Sequence, residues 1–271
     1  MKDFTITGGG GVRLHAVEAG NTRGKPIVFI HGLSQSVLSW IRQFNSPLAD
    51  TFRLVALDLR GHGLSERPLD GYADSRLWAD DVHALIKALD LDHPILCGWS
   101  YGPLVILDYL RHYGEDDISG VNFVGGVTKL GSEEAASVLT PEFVGLIPGF
   151  FSSDVEESVR SLSSLLRLCF AEELAAEDLY RMLGYSVSVP PRVRQALFSR
   201  AFDNDDLLPR LRKPVLITHG NRDAVVKPAV IEQQFSRIRN AKIERMAAGH
   251  ACFWDDSASY NASLRKFADG R

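Results

Sequence analysis

A serine sits between two glycines in Gly98-Trp99-Ser100-Tyr101-Gly102, directly after the apolar run Ile95–Cys97 and ahead of the apolar-rich segment Pro103–Tyr113. In a strand-to-helix setting the G-x-S-x-G spacing describes a very sharp turn whose central residue takes strained backbone angles. Side chains two residues to either side would collide, so only glycine fits at both flanks. Such a turn lifts the Ser100 hydroxyl above the carboxyl end of a sheet. It also aims the backbone N–H of Tyr101 at the same point from a helix N-terminus, which places an oxyanion donor beside a nucleophile.

A serine hydroxyl is a poor nucleophile at neutral pH and needs an adjacent base, itself oriented by a third group. Of the eight histidines, His250 in Ala248-Gly249-His250 lies just past the last strand-like run and before the last helical period. Its loop should return to the carboxyl edge of the sheet. His219-Gly220 closes the preceding run, and the turn Asn221-Arg222-Asp223 offers a carboxylate at that same edge. The chain order Ser100, Asp223, His250 is the one expected for a hydrolase built on such a sheet. Asp58, His62 and Ser65 lie within one short loop, too local to face one another as a second triad, and read as structural. His83 reads as a solvated or capped residue of a helix face. Cys252 reads as packing, since nothing around it would activate a thiolate.

The elements that must hold these groups follow from the apolar pattern. Ile27–Ile30, Leu54–Leu57, Ile95–Cys97 and Val121–Val124 read as buried parallel strands, and strand-like composition returns at Val215–Thr218 and near Ile243–Met246. Trp78, Val82, Leu85, Ile86 and Leu89 recur at helical spacing after a candidate N-cap at Asp74 or Ser75. Gly114 can end the helix that follows Ser100. From about Val127 to Asp206 strand-like runs vanish and amphipathic stretches take over. Thr140 and Pro141 look like an N-cap and first helical residue there, and Ser153 with Glu156 resembles a capping box. Tyr260, Leu264 and Phe267 mark one face of a closing helix. The predicted fold is α/β, a mostly parallel central sheet flanked by helices, with a core of residues 1–126 and 207–271 split around a helical cap at 127–206.

Composition sets the outer limits. The 271 residues are 45% hydrophobic and carry 30 Lys+Arg against 34 Asp+Glu, a net charge of -4. Without a basic cluster, nucleic acid and anionic membrane are not expected partners. Three cysteines with no paired spacing fit a reducing compartment, and no secretory signal is read at Met1–Gly11, so a cytoplasmic location is expected. The longest uncharged stretches are shorter than a bilayer-spanning helix. Gly8–Gly11 lacks the Lys and Ser/Thr of a phosphate loop, no full G-x-G-x-x-G follows a strand, and no ligand-spaced His/Cys/Glu group calls for a metal. No cofactor is expected.

The chain resembles the α/β-hydrolase superfamily over nearly all of its length. Besides the serine turn, His31-Gly32-Leu33, Asp58-Leu59-Arg60-Gly61-His62-Gly63-Leu64-Ser65 and His219-Gly220-Asn221-Arg222-Asp223 ahead of Val225-Val226 each look like family signatures in their usual places. Gly249-His250-Ala251 with Phe253, Trp254 and Asp255 is similar to the base loop of esterase-like members, perhydrolases and lactonases included. The resemblance implies the N–H of Leu33 as the second oxyanion donor beside that of Tyr101, a supporting role for His31, and a cap that makes most of the pocket. A serine nucleophile speaks against dehalogenase and epoxide hydrolase chemistry, which use a carboxylate there in this superfamily. Two departures stand out: Pro103 replaces a second glycine after the elbow, and Gly125-Gly126 occupy a region where some relatives place the acid.

The function expected is a serine carboxylic ester hydrolase working through an acyl-enzyme on small to medium, largely apolar esters or lactones. Perhydrolase, thioesterase and carbon-carbon hydrolase chemistry use the same triad. A slow or non-turnover ligand receptor or interaction module on the same fold is the reading from another class. Trp40, Trp99 and Phe143 are the pocket candidates, weighed against plain core roles. Arg192 and Arg194 read as a solvated cap face, with binding of a substrate carboxylate as the alternative. Oligomeric state is not legible.

Overall fold

The strands expected from the apolar runs are present in the computed structural model, which describes residues 1–270, and two further strands precede them. In chain order they are β1 (Lys2–Thr7), β2 (Arg13–Gly20), β3 (Pro26–Ile30), β4 (Arg53–Leu57), β5 (Ile95–Trp99), β6 (Gly120–Val124), β7 (Val215–Gly220) and β8 (Ala241–Met246). They form one eight-stranded sheet in the order β1-β2-β4-β3-β5-β6-β7-β8. β1 pairs antiparallel with β2 and β2 with β4, and every other pairing is parallel. The glycine run lies in the β1–β2 connection, where the Gly9 N–H donates to the Asp81 carboxylate at 2.8 Å. It is a structural turn.

Helices cover both faces. We label those of eight or more residues, beginning with α1 (Ser75–Ala88) and α2 (Gly102–Tyr113). Asp74 caps α1 by accepting the Arg76 N–H, and the helix buries Trp78, Val82, Leu85 and Ile86. α2 is buried from Gly102 through Leu110. A Cβ at Gly98 would stand 2.8 Å from Ile106 of α2. One β6 register away, Gly120 and Asn122 face the closing helix: a Cβ at Gly120 would meet Phe267 at 3.1 Å, and Tyr260 donates to Asn122 at 3.0 Å. Strand residues alternate between faces, so β5 and β6 are sandwiched, as buried parallel strands require.

Between β6 and β7 the chain inserts α3 (Pro141–Phe151), α4 (Val155–Cys169), α5 (Ala176–Val187) and α6 (Pro191–Phe198); the chain closes with α7 (Ser257–Asp269). Thr140 caps α3 as expected, accepting from the Phe143 N–H. The α4 cap differs from the expected Ser153/Glu156 box. Asp154 is the N-cap and accepts from the Glu157 N–H at 2.9 Å, one residue further on, while Ser152 donates to the Glu157 carboxylate.

Arg194 is also not the solvated residue expected. It is 1% exposed and donates to the Phe150 and Val189 carbonyls and to Ser158 Oγ, tying α3, α4 and α6 together. Burial without a carboxylate partner pulls its pKa down to about 10. Arg192 is exposed and donates to the Pro68 and Arg67 carbonyls, which joins α6 to the loop after β4.

Candidate active site

β5 ends at Trp99 and α2 starts at Gly102, leaving Ser100 and Tyr101 to make the turn. Ser100 has φ of +59°, a left-handed conformation that costs a residue with a side chain roughly 1–2 kcal/mol. The flanking glycines are required by contact. A Cβ at 98 would lie 2.6 Å from the Gly102 carbonyl carbon and 2.7 Å from the Pro103 nitrogen, and a Cβ at 102 would lie 2.5 Å from the Ile30 oxygen of β3. Pro103 falls in the first turn of α2, where a helix has no use for its missing N–H.

His250 follows β8 and is 1% exposed, with Nε2 2.9 Å from Ser100 Oγ and Nδ1 2.8 Å from Asp223 Oδ2. A carboxylate only accepts, so the Nδ1 that faces it carries the proton and Nε2 offers its lone pair to the Ser100 hydroxyl. Asp223, in the turn after β7, is fixed in turn: its Oδ1 accepts from the N–H groups of Val225 and Val226, both at 2.8 Å. The base loop is anchored by Gly249 N–H to Asp255 (2.8 Å), Ala251 N–H to the Cys169 carbonyl (2.8 Å) and Trp99 Nε1–H to the His250 carbonyl (3.1 Å). At Gly125 a Cβ would come within 2.8 Å of the His250 oxygen, so the backbone after β6 has no room for a side-chain acid.

The turn after β3 lies against the nucleophile. A Cβ on Gly32 would stand 2.9 Å from Ser100 Cβ and 3.5 Å from Ser100 Oγ. Neither the Leu33 nor the Tyr101 N–H has a hydrogen-bond partner among the described residues. Two buried histidines brace this turn. His31 accepts the Leu59 N–H at Nε2 and donates from Nδ1 to the Gly32 carbonyl, while His62 accepts the Ser34 N–H at Nε2 and donates to the Arg60 carbonyl. Burial drives both toward the neutral form, His62 to a pKa of about 3. Asp58 accepts from the Val37 and Leu64 N–H groups and meets His15 at 2.7 Å, and Ser65 donates to the Asp58 carbonyl. Asp58, His62 and Ser65 thus hold loops and do not form a second triad.

A cavity of about 60 Å³ opens beside Ser100, lined by Leu33, Tyr101, Leu104, Phe143, Phe198 and Val226 among others. Phe143, one of the three pocket candidates, is among these lining residues. Trp40 and Trp99 are not. Trp40 is fully buried between Phe29 and Phe253, with ring centroids 4.7 and 4.2 Å away, and Trp99 turns to the opposite side of its strand from Gly98 and packs on Phe253 and the His250 ring. A larger groove of about 660 Å³, lined by His15, Val37, Leu38, Leu64 and Tyr185 among others, does not include Ser100, Asp223 or His250.

Sequence reading missed Phe198 and Val226 as cavity walls, and gave no role to His219, whose Nε2 lies 3.3 Å from Asp223 Oδ2. Its position four residues before the acid was the available signal. His83 stacks on Tyr113 at 4.0 Å, and Cys97, Cys169 and Cys252 are buried free thiols. Burial pushes the Cys252 thiol far up, so it stays protonated. Among the described residues no cluster of His, Cys, Asp and Glu could hold a metal ion, and no helix is long and apolar enough to cross a membrane.

The family described as alpha/beta hydrolase fold matches residues 25–257. The AB hydrolase superfamily protein YisY of Bacillus subtilis (strain 168) is 27% identical over 91% of this chain and 92% of its own length. The bifunctional esterase/perhydrolase DCH of Acinetobacter calcoaceticus is 28% identical over 75% of this chain and 76% of its own. Among solved structures, the esterase RhEst1 from Rhodococcus sp. ECU1013 superposes with a TM-score of 0.94 at 34% identity, covering 99% of each chain.

Proposed function

The chain belongs to the α/β hydrolase fold family, and from that premise we propose that it is a serine carboxylic ester hydrolase working through an acyl-enzyme on small to medium, largely apolar esters or lactones. The observation that carries the reading is the continuous hydrogen-bonded chain from Ser100 through His250 to Asp223, at 2.9 and 2.8 Å, beside an apolar cavity.

In this reading His250 Nε2 takes the Ser100 proton as Oγ bonds to the ester carbonyl carbon, and the carbonyl electron pair moves onto oxygen. The oxyanion lies between the N–H groups of Leu33 and Tyr101, which no other group occupies. Asp223 keeps Nδ1–H in place and stabilises the imidazolium without taking its proton. As the carbonyl re-forms, the C–O bond to the alcohol breaks and His250 returns the proton to the departing oxygen. Water then loses a proton to Nε2, attacks the acyl carbon and expels Ser100 Oγ, which regains the proton. With a lactone the leaving oxygen stays tethered to the acyl group, and one hydroxy acid results.

Residues 127–206 act as the cap, since Phe143 of α3 and Phe198 of α6 close the cavity over Ser100. A volume of about 60 Å³ corresponds to roughly two waters at about 30 Å³ each. That favours short acyl chains. The partner is a small molecule, and no step calls for a metal or organic cofactor. The bifunctional relative makes peracid formation with hydrogen peroxide the second activity to assay.

The test is steady-state hydrolysis of p-nitrophenyl acetate, butyrate and hexanoate by wild type and Ser100→Ala, with far-UV dichroism to confirm folding. Repeated turnover by wild type and a loss of about 10⁴-fold or more in the variant is the expected result. Equal, slow rates from two folded proteins would overturn the esterase reading and leave the ligand-receptor reading in its place.

A further inference from the structure

The proton transfers above use one histidine at the acid, yet Asp223 touches two. His219, in β7, is 1% exposed. Its Nε2 lies 3.1 Å from the Val226 carbonyl and 3.3 Å from Asp223 Oδ2, and its Nδ1 is buried with no partner. A peptide carbonyl only accepts, so Nε2 carries the proton and the orphaned Nδ1 is a bare lone pair. The Nε2–H is given to the Val226 carbonyl, while the nitrogen itself lies 3.3 Å from the same carboxylate oxygen that holds His250.

Asp223 Oδ1 thus accepts from Val225 and Val226 and Oδ2 from His250, with His219 Nε2 a further 3.3 Å neighbour of Oδ2. The other charged and titratable groups that act on this cluster are Arg245 of β8, the Cys169 and Cys252 thiols and Asp255. Burial, with His250 and Arg245 nearby, outweighs the pull of Asp223 and keeps His219 neutral. A second proton would also have to sit on Nδ1, where nothing accepts it. His219 thus presents a dipole and not a charge.

We propose that His219 is a positioning residue of the reaction: its Nε2–H, given to the Val226 carbonyl, fixes the turn whose Val225 and Val226 N–H groups hold Asp223 Oδ1, and its dipole 3.3 Å from Oδ2 tempers the basicity of the carboxylate and so sets the pH at which His250 becomes free to act as base. This rests on the reading of Asp223 and His250 given above. Without His219 the carboxylate is more basic and favours the His250 imidazolium more, so the basic form of His250 appears at higher pH. The rate also falls, because the Val225–Val226 turn has one anchor fewer and orients the carboxylate, and through it the imidazole, less precisely.

The test compares His219→Gln with His219→Asn. The Gln amide nitrogen can reach the place of Nε2, whereas the Asn amide nitrogen reaches only that of Nδ1. The readout is kcat and KM for p-nitrophenyl acetate from pH 5 to 9. The expected result for Asn is an acid limb moved upward by on the order of half a pH unit, kcat lowered by roughly two- to tenfold as for one lost hydrogen bond to a carbonyl, and an unchanged KM. Gln should keep the wild-type limb. An Asn variant with an unshifted limb, or a Gln variant as impaired as Asn, overturns the proposal.

A second measurement needs no substitution. In ¹⁵N spectra of the wild type, His219 should stay neutral with its proton on Nε2 over the same range. Titration between pH 5 and 9, or an Nδ1–H tautomer, overturns the proposal as well. Ser100→Ala separates the two levels of inference. If it turns over like wild type, the hydrolase reading has failed, whereas an inactive Ser100→Ala beside unperturbed His219 variants fails the positioning role alone.

Discussion

Replacing Gly32 by alanine adds one methyl group, and the backbone dictates where it goes. The new Cβ would stand 2.9 Å from Ser100 Cβ and 3.4 Å from the Trp99 oxygen. Ordinary contact starts at 3.4 Å, so either the turn after β3 or the nucleophile must move by about half an ångström. Ser100 has little slack, being held at positive φ by the packing of Gly98 and Gly102. The movement therefore alters the distance between Oγ and the Leu33 N–H. A displacement of about 1 Å at a reacting centre costs on the order of 10²-fold, so half of that predicts a loss in kcat/KM of roughly tenfold or more. The overpacking costs about 1–3 kcal/mol of stability. Activity on p-nitrophenyl acetate and a thermal melt would be measured beside Gly145→Ala, whose Cβ meets nothing within 4 Å and which, inside α3, should keep the activity and raise stability by about 0.5–1 kcal/mol. A folded Gly32→Ala with kcat/KM within twofold of wild type would refute the claim that this turn is seated on the nucleophile.

Stability should fall on mild acidification. His62 has a native pKa near 3, well below the 6.5 of an exposed histidine, so under pH 6.5 the unfolded chain binds a proton that the native state refuses. At pH 5 this amounts to about 2 kcal/mol, or a melting temperature lower by about 4–8 °C than at pH 7.5. The lowered values of His31 and His219 add to the drop, and the raised value of His15, set first by its bond to Asp58, works in the opposite sense; Asp58, lowered because its bond to His15 and further contacts outweigh burial, loses its contribution only below about pH 4. An equal or higher melting temperature at pH 5 would contradict the scheme. At the cavity, Phe198 packs against Phe143, Phe150 and Phe151 with centroids 5.4 to 6.3 Å away. Phe198→Ala should raise the hexanoate-to-acetate ratio of kcat/KM by roughly tenfold, as each added methylene finds room. An unchanged ratio would place the acyl chain elsewhere.

What was legible in the sequence was what local sterics or strand order decides. The glycines around Ser100 are required by atoms within a few residues or on the adjoining strand, so the pentapeptide already implied the turn. Asp223 and His250 were legible because each follows a parallel strand, and the carboxyl ends of parallel strands lie at one edge. The antiparallel hairpin of β1 and β2 was not, since β1 buries only Ile6 and carries Lys2, Asp3, Thr5 and Thr7 on an edge strand. The burial of Arg194 depends on the Phe150 carbonyl of α3, the Val189 carbonyl between α5 and α6 and the Ser158 hydroxyl of α4, which no pattern within Pro191–Phe198 encodes. Trp40 and Trp99 were misplaced for a related reason: strand parity separates Trp99 from Gly98, but which face borders the cavity is set by where the inserted helices land.

The strand order also governs how the chain must emerge during synthesis. β6 is flanked by β5 and β7, but α3 to α6 lie between β6 and β7 in sequence. At about 5–20 residues per second, roughly 5 to 20 s elapse between the exit of Val124 and that of Val215. For that interval β6, wholly buried in the finished sheet, presents a bare edge that could pair with another nascent chain. The inserted helices are thus made before the strand that seals the sheet, and early contact between them and the exposed edge would shelter it. His250 follows later still, so a chain terminated before it carries Ser100 without the histidine that hydrogen-bonds to it.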